Sequence, residues 1–288
     1  MTVAVSGTQS SHKGRLARAT QQGGMYLLLS GLLILTFVPL ALLLVLSLKD
    51  NGQIYGRFWS FPRPYRWENY IGGFRGIWRF MLNSFITSGT STIITVILSG
   101  VTGYVFARHS FPGKETIYTI ILSLMMIPPL LTLIPAYVLI YNLRLANTYW
   151  ALILPWTSGG QVFGLLLCRS FFSTLPEDFF DAARIDGASE LRVFVSIVAP
   201  LCKPILITLA IMRVTNTYNQ FMWPLVAISS TRLQVVAVGL TQFTSEIGIT
   251  DIGTQMAGYV AACVPLLIIF AFGMRYYISG LTAGGLKA

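Results

Sequence analysis

Between Met25 and Leu48 the chain carries no charged side chain, and an apolar run of that length is what most restricts the possible folds. A helix rises about 1.5 Å per residue, so the run is longer than a hydrocarbon core of about 30 Å is thick. It is too long for the core of a signal peptide and has no small-residue cleavage site, so it reads as an uncleaved first span. Five more stretches can cross a bilayer: Met81 to Ala107, Thr116 to Tyr141, Tyr149 to Phe172, the residues after Pro204 to about Ile228, and Gln255 to Ile278. The composition agrees, because 54% of residues are hydrophobic, only 10% are charged and mean hydropathy is +0.68. Soluble domains carry about a quarter charged residues. The expectation is an all-α, polytopic membrane protein with six transmembrane helices. Residues 1–24 form a polar cytoplasmic tail that looks disordered, and residues 25–288 form the transmembrane domain.

Several classes of chemistry find no support. Cys168, Cys202 and Cys263 are an odd number, widely spaced and in or beside apolar spans, which suggests neither a disulfide framework nor a zinc site. His12 and His109 lie far apart in polar segments, so no metal site and no catalytic residue is assigned. No Walker A loop is present, so ATP, if used, is bound by another subunit. The net charge of +10 is what orientation-setting lysines and arginines produce in cytoplasmic loops. With no recognition motif beside it, the charge does not imply nucleic acid.

One long polar island interrupts the apolar pattern. Thr174 to Pro204 holds five of the ten acidic residues: Glu177, Asp178, Asp181, Asp186 and Glu190. Thr174 with Glu177 has the spacing of a capping box, and Pro176 suits a first helical turn. Asp186-Gly187 should break the run, because glycine adopts a backbone shape that costs other residues energy. Ser189 can cap a second short helix whose Leu191, Phe194, Val195 and Val198 share one stripe. The product is an elbow outside the bilayer.

Within the island stand Asp181-Ala182-Ala183, Arg184-Ile185-Asp186, Gly187 and, after the usual interval, Ala199-Pro200. This string resembles the coupling (EAA) loop of ABC-importer permease subunits, with Asp181 where glutamate is usual. Arg108-x-x-Phe111-Pro112-Gly113, Asn147-Thr148, Trp67-Glu68-Asn69-Tyr70 with Asn83-Ser84, and the glycine-rich tail through Gly284 and Gly285 are similar to the carbohydrate branch, the maltose-transporter second-permease type. Tyr218 to Leu225 resembles that family's Trp-Asn-Glu-Phe-Leu-Trp-Pro-Leu, with tyrosine and glutamine at the first and third positions. The resemblance covers about Trp67 to Lys287.

It implies a bacterial inner-membrane subunit with both termini cytoplasmic and no cofactor of its own, ATP and Mg being used by the partner ATPase. The implied partners are two ATPase subunits, a different second permease, an extracytoplasmic solute-binding protein and membrane lipid. The implied mechanism is alternating access. Asp181, Ala182, Ala183, Asp186, Gly187, Phe194 and Pro200 would couple to the ATPase. Gly239, Gln242, Phe243 and Thr244 fall where maltose-type importers reach their binding protein.

In the fifth apolar stretch Arg213, Asn216 and Gln220 fall at i, i+3 and i+7, with Asn219 beside them. An arginine inside a span faces a partner or a watery cavity rather than lipid. Two readings are open. The amides could bond sugar hydroxyls while Arg213 meets a carboxylate or phosphate, or Arg213 could bond carbonyls or an acid at an interface with a partner permease. An ABC permease for a sugar phosphate or a peptide is the alternative cargo reading. A secondary transporter would need acids within the spans, where there are none, and a membrane-embedded enzyme would need a catalytic constellation that is not visible. The outer loop Lys49 to Arg79 is an exception to the positive-inside pattern, with six basic residues.

Overall fold

The computed structural model describes residues 9–242 and 250–285, all in helices and the turns that join them. The order is α1 (Gln9–Ser47), α2 (Asn51–Gly56), α3 (Glu68–Arg108), α4 (Lys114–Ser123), α5 (Pro129–Asn142), α6 (Trp150–Phe172), α7 (Asp178–Ile185), α8 (Glu190–Val193), α9 (Ala199–Leu201), α10 (Lys203–Tyr218), α11 (Met222–Ala227), α12 (Val236–Gly239) and α13 (Ile252–Gly285). A π-helical turn, Phe194–Val198, joins α8 to α9. Among the described residues four helices are long and apolar enough to cross a membrane: Gln22–Ser47, Glu68–Arg108, Trp150–Phe172 and Ile252–Met274.

The remaining two expected spans are broken. Lys114–Met126 and Pro129–Asn142 meet at 100°, and the fifth, Lys203–Tyr218, is joined at 78° to Glu190–Leu201, the second arm of the polar island. Six crossings result only if each bent pair counts as one. The first break falls at Ile127, where Pro128 takes an extended conformation and Pro129 opens α5; consecutive prolines lack the N–H groups that would carry a helix through. The fifth stretch does not run unbroken to Ile228 either, since α10 ends at Tyr218 and α11 restarts at Met222. Asn219 Nδ2 bonds the Thr215 carbonyl at 2.9 Å and closes the last turn. Pro224 has no N–H for the Gln220 carbonyl, which suits the first turn of a new helix but not the middle of a continuous one.

At the N-terminus, residues 9–24 continue α1 as helix where a disordered tail is expected. The side chains Gln22 to Leu40 are exposed along the whole of that length.

The centre of the fold is α3 packed on α6, α10 and α13. Its packed face is a stripe of small polar residues, among them Asn83, Ser84, Thr87, Ser88, Ser91, Thr95 and Ser99, all buried. Small side chains let backbones approach closely. A Cβ on Gly164 would overlap Ser99, one on Gly103 would overlap Cys168, and one on Gly73 would meet the backbone of Gly258. Ser99 Oγ donates to Gln161 Oε1 at 2.7 Å across the α3–α6 contact.

Candidate functional site: the elbow and the cavity beside Arg213

The elbow has the expected two-helix form, and the glycine joint is a full Schellman turn. Asp186 ends α7, Gly187 has φ +66°, and the amides of Gly187 and Ala188 bond the carbonyls of Arg184 (3.1 Å) and Ala183 (3.0 Å). This pairing needs a left-handed residue at Gly187. The two expected side-chain caps are absent. Thr174 Oγ1 donates back to Phe171 O at 2.8 Å, α7 starts at Asp178, and Ser189 makes no side-chain cap bond. Glu177 instead pairs with Arg108 at 2.8 Å and lies 3.6 Å from Arg184.

The apolar stripe is also split. Val198 is buried and Phe194 half-buried, whereas Leu191 is 72% exposed and Val195 57% exposed. The π-helical turn beginning at Phe194 shifts the register by one residue, so the packed face of the elbow is Phe180, Ala183, Val193 and Val198. Phe179, Ile185 and Leu191 are left on the open side with Asp181, Ala182, Asp186, Gly187 and Pro200. A cleft of about 620 Å³ opens there, lined among others by Phe179, Ala182, Asp186, Arg192 and Ser196.

A clamp at the end of α3 holds the elbow. Tyr104 Oη donates to Glu190 at 2.6 Å and His109 Nε2 lies 3.3 Å from the same carboxylate. Arg108 donates to the carbonyls of Phe172 and Leu175 and stacks over Phe180 at 4.2 Å. None of Tyr104, Arg108, His109 or Glu190 is singled out as a site residue by sequence. Arg108 does open the Arg-x-x-Phe-Pro-Gly turn, whose Gly113 is left-handed at φ +78°. That is the one signal that could have marked it.

The second site is a cavity of about 380 Å³ between α5, α6, α10 and α11. Arg213, Asn216 and Gln220 line it together, although Gln220 lies beyond the end of α10. Asn219 lies in a neighbouring cavity of about 520 Å³, which shares Asn216 and Gln220 and adds Phe221 and Phe270. The two amides Asn216 and Gln220 are therefore the wall between the cavities.

Arg213 is half-buried. Its Nη2 donates to the Trp156 carbonyl at 2.6 Å, and its Nε–H has no acceptor among the described residues. No carboxylate pairs with it among the described residues. The guanidinium lies on Gly160, where a Cβ would come within 2.6 Å of Cζ. Gly160 is thus the cradle for Arg213, which spacing along the chain does not reveal. Pro155 withholds an N–H from the Ala151 carbonyl, and Trp223 Nε1 fills that vacancy at 2.9 Å. This bond anchors α11 to α6 and frames the cavity.

The family-like motifs at the end opposite the elbow make uncharged clamps. Asn83 Nδ2 donates to the carbonyls of Arg232 (2.9 Å) and Gln234 (2.8 Å), and Asn83 Oδ1 accepts from Tyr149 at 2.7 Å. Ser84 Oγ accepts from Val236 N, and Asn147 Oδ1 from Ser230 N, each at 2.9 Å. Of the residues expected to meet a binding protein, Gly239 is buried, and a Cβ on it would lie 2.3 Å from the Phe80 ring. It is a packing position. Gln242 is half-buried, and Phe243 and Thr244 lie outside the described residues.

Broken helices around a polar cavity are the geometry of a membrane-spanning transport path. The chain belongs to the binding-protein-dependent transport system inner membrane component family, whose model matches residues 99–282. It is 32% identical over 250 residues to the probable ABC transporter permease protein YurM of Bacillus subtilis (strain 168), across 86% of this chain and 83% of that protein. It is also 32% identical over 261 residues to the arabinooligosaccharides transport system permease protein AraQ of the same organism, across 88% and 92%. In fold it is similar to a chain from the crystal structure of a bacterial ABC transporter involved in the import of the acidic polysaccharide alginate, with a TM-score of 0.78 at 17% identity, covering 95% of this chain and all of that one. The protein is a multi-pass inner-membrane permease subunit of an ABC importer. It works with a separate ATPase and a binding protein, and carries out no ATP hydrolysis itself.

Proposed function

We propose that this permease forms half of the import path for a carboxylate-bearing oligosaccharide, with Arg213 as the cationic group on that path. The observation that carries the reading is the setting of Arg213. It is a half-buried arginine at a cavity wall, held by one neutral carbonyl and pairing with no acid among the described residues. A buried charge without a counter-charge is costly, and an anionic cargo offsets that cost as it passes. Asn216 and Gln220, with Asn219 in the adjoining cavity, supply donors and acceptors for sugar hydroxyls. The sugar assignment draws on similarity to the arabinooligosaccharides permease.

In the same reading the termini are cytoplasmic and the elbow docks into a cleft on one of two ATPase subunits, which hold ATP and Mg. Asp181, Ala182, Asp186, Gly187 and the exposed Ile185 and Leu191 meet that subunit, while Ala183 and Phe194 hold the elbow to α3 and α6. A second, different permease completes the path against the exposed apolar sides of α1 and α5. Gln242 and the adjoining Phe243 and Thr244 reach the solute-binding protein. ATP-driven closure of the ATPase pair moves the elbow, and the Tyr104–Arg108 clamp passes that motion to α3.

A second reading follows from the Trp156 bond. Arg213 already bonds a backbone carbonyl of α6, so it can serve as a brace between α10 and α6 while a neutral oligosaccharide passes. The deciding measurement is ATPase activity of the reconstituted complex with its binding protein, titrated with neutral and uronic-acid oligosaccharides, for wild type and Arg213→Gln. Stimulation by acidic glycans that falls at least tenfold in the variant, a loss of about 1.4 kcal/mol, is the expected result. Equal stimulation by neutral sugars in both proteins leaves Arg213 as a brace and overturns the acidic-cargo reading.

A further inference from the structure

The six basic residues of Lys49 to Arg79 lie at the end of α3 away from the elbow, and neither the elbow nor the cavity uses them. They are not equivalent. Lys49 is fully buried, with Nζ donating to the carbonyls of Arg57 (2.9 Å) and Phe58 (2.7 Å), and burial pulls its pKa down. Arg66 pairs with Asp50 at 3.3 Å. Arg57 and Arg63 have no carboxylate partner among the described residues, and both line a cleft of about 550 Å³ with Asp50, Gln53, Ser60 and Phe61.

Three observations say what such a cleft would hold. Asp50 is its only carboxylate among the described residues; the Gln53 backbone N–H, and then Arg66, hold that carboxyl below the usual carboxylate range, and its charge is already matched by Arg66. The free charge in the cleft is therefore positive. Gln53 Oε1 is buried and unpaired among the described residues, leaving an acceptor for a hydroxyl. Depth is the third. The first span ends at Ser47 and α2 begins at Asn51, so the cleft stands at headgroup level. Around it Tyr55, Trp59 and Phe61 are exposed, Trp59 by 81%. Rings of this kind are costly in open water and favoured at a membrane surface, where arginines also meet phosphate.

We propose that this cleft binds the phosphate of an anionic phospholipid in the leaflet opposite the elbow, with Arg57 and Arg63 on the phosphate, Gln53 and Ser60 on headgroup hydroxyls, and Trp59 and Phe61 seated at the acyl boundary. A soluble acidic partner would account for the arginines but not for exposed aromatics at this depth. The assignment does not depend on the nature of the cargo.

The test uses the assembled transporter in nanodiscs of mixed phosphatidylcholine and phosphatidylglycerol, with retained lipids counted by native mass spectrometry. Wild type should retain phosphatidylglycerol in preference. Arg57→Gln/Arg63→Gln should lose that preference by roughly thirtyfold, the size expected for two arginines at a charged membrane surface. Arg144→Gln, in a different loop, should keep it. Both variants should match wild type in thermal unfolding in detergent. Equal retention of the two lipids by wild type, or unchanged preference in the double variant, overturns the proposal. So does displacement of the lipid by inorganic phosphate, which would make the site one for a free anion. A double variant that keeps its lipid but loses affinity for the binding protein in phosphatidylcholine alone would make the cleft a protein contact and also overturn it.

Discussion

The two ends of the molecule are held by different chemistry. At the end opposite the elbow, the loops around α11 and α12 are tied by buried, uncharged side chains to backbone groups: Asn83 to residues 232 and 234, Ser84 to 236, and Trp223 to 151. At the elbow the ties are charged and largely wet, such as Arg184 with Asp181, whose side chains are 61% and 60% exposed. A buried polar group that loses its partner costs about 1–3 kcal/mol, whereas an exposed ion pair contributes about 0–1 kcal/mol. The first end is therefore fixed architecture. The elbow packs on α3 and α6 by Phe180, Val193 and Val198 and can shift at its exposed pairs, while Arg108, whose side chain is 12% exposed, keeps it tied to α3.

The largest effect should come from Asn83→Leu. It leaves the carbonyls of Arg232 and Gln234 and the Tyr149 hydroxyl without their partner, and the expected loss is about 3 kcal/mol or more, read as a lower thermal midpoint in detergent. An unchanged midpoint would remove the distinction between the two ends. Gly187→Val should be intermediate. Nothing lies within 4 Å of the added Cβ, so the cost comes from the backbone at φ +66°, at about 1–2 kcal/mol. The variant should insert normally yet lose copurification with the ATPase subunits. Wild-type assembly and transport would show that the turn is not needed for coupling. The smallest effect belongs to Arg184→Ala, which removes two exposed ion pairs, with Asp181 and Glu177, and should move stability by less than about 1 kcal/mol. A shift of several kcal/mol would mean that the elbow is as rigid as the far end.

Much of this was legible in the chain. The apolar runs located the membrane helices, and the charge of Thr174 to Pro204 set the elbow apart from them. Asp186-Gly187 marked the joint because a left-handed turn favours a residue without a Cβ. Arg213, Asn216 and Gln220 have the spacing of one helical face, and they do share a cavity, but by a different route, since the helix stops at Tyr218. Gly239, which the resemblance places at the binding-protein contact, is packed against Phe80. The clamp was not legible, because Tyr104 and Arg108 at the end of α3 meet Glu190 and Glu177 about seventy or more residues further along the chain.

Sequence by itself determined what is local or additive: span-length hydrophobicity, the polar island and the glycine joint. Only the tertiary structure decided which carbonyl received each unpaired donor. Pro155 frees the Ala151 carbonyl wherever this stretch is helical, yet only the packing of α11 on α6 brings Trp223 to it. The same holds for Arg213, which lies on Gly160 because two helices distant in the chain approach closely enough to need a residue without a side chain. Hydrophobic transfer is summed along a sequence, whereas hydrogen bonds and close packing depend on separations of a few tenths of an ångström between segments that no linear pattern records.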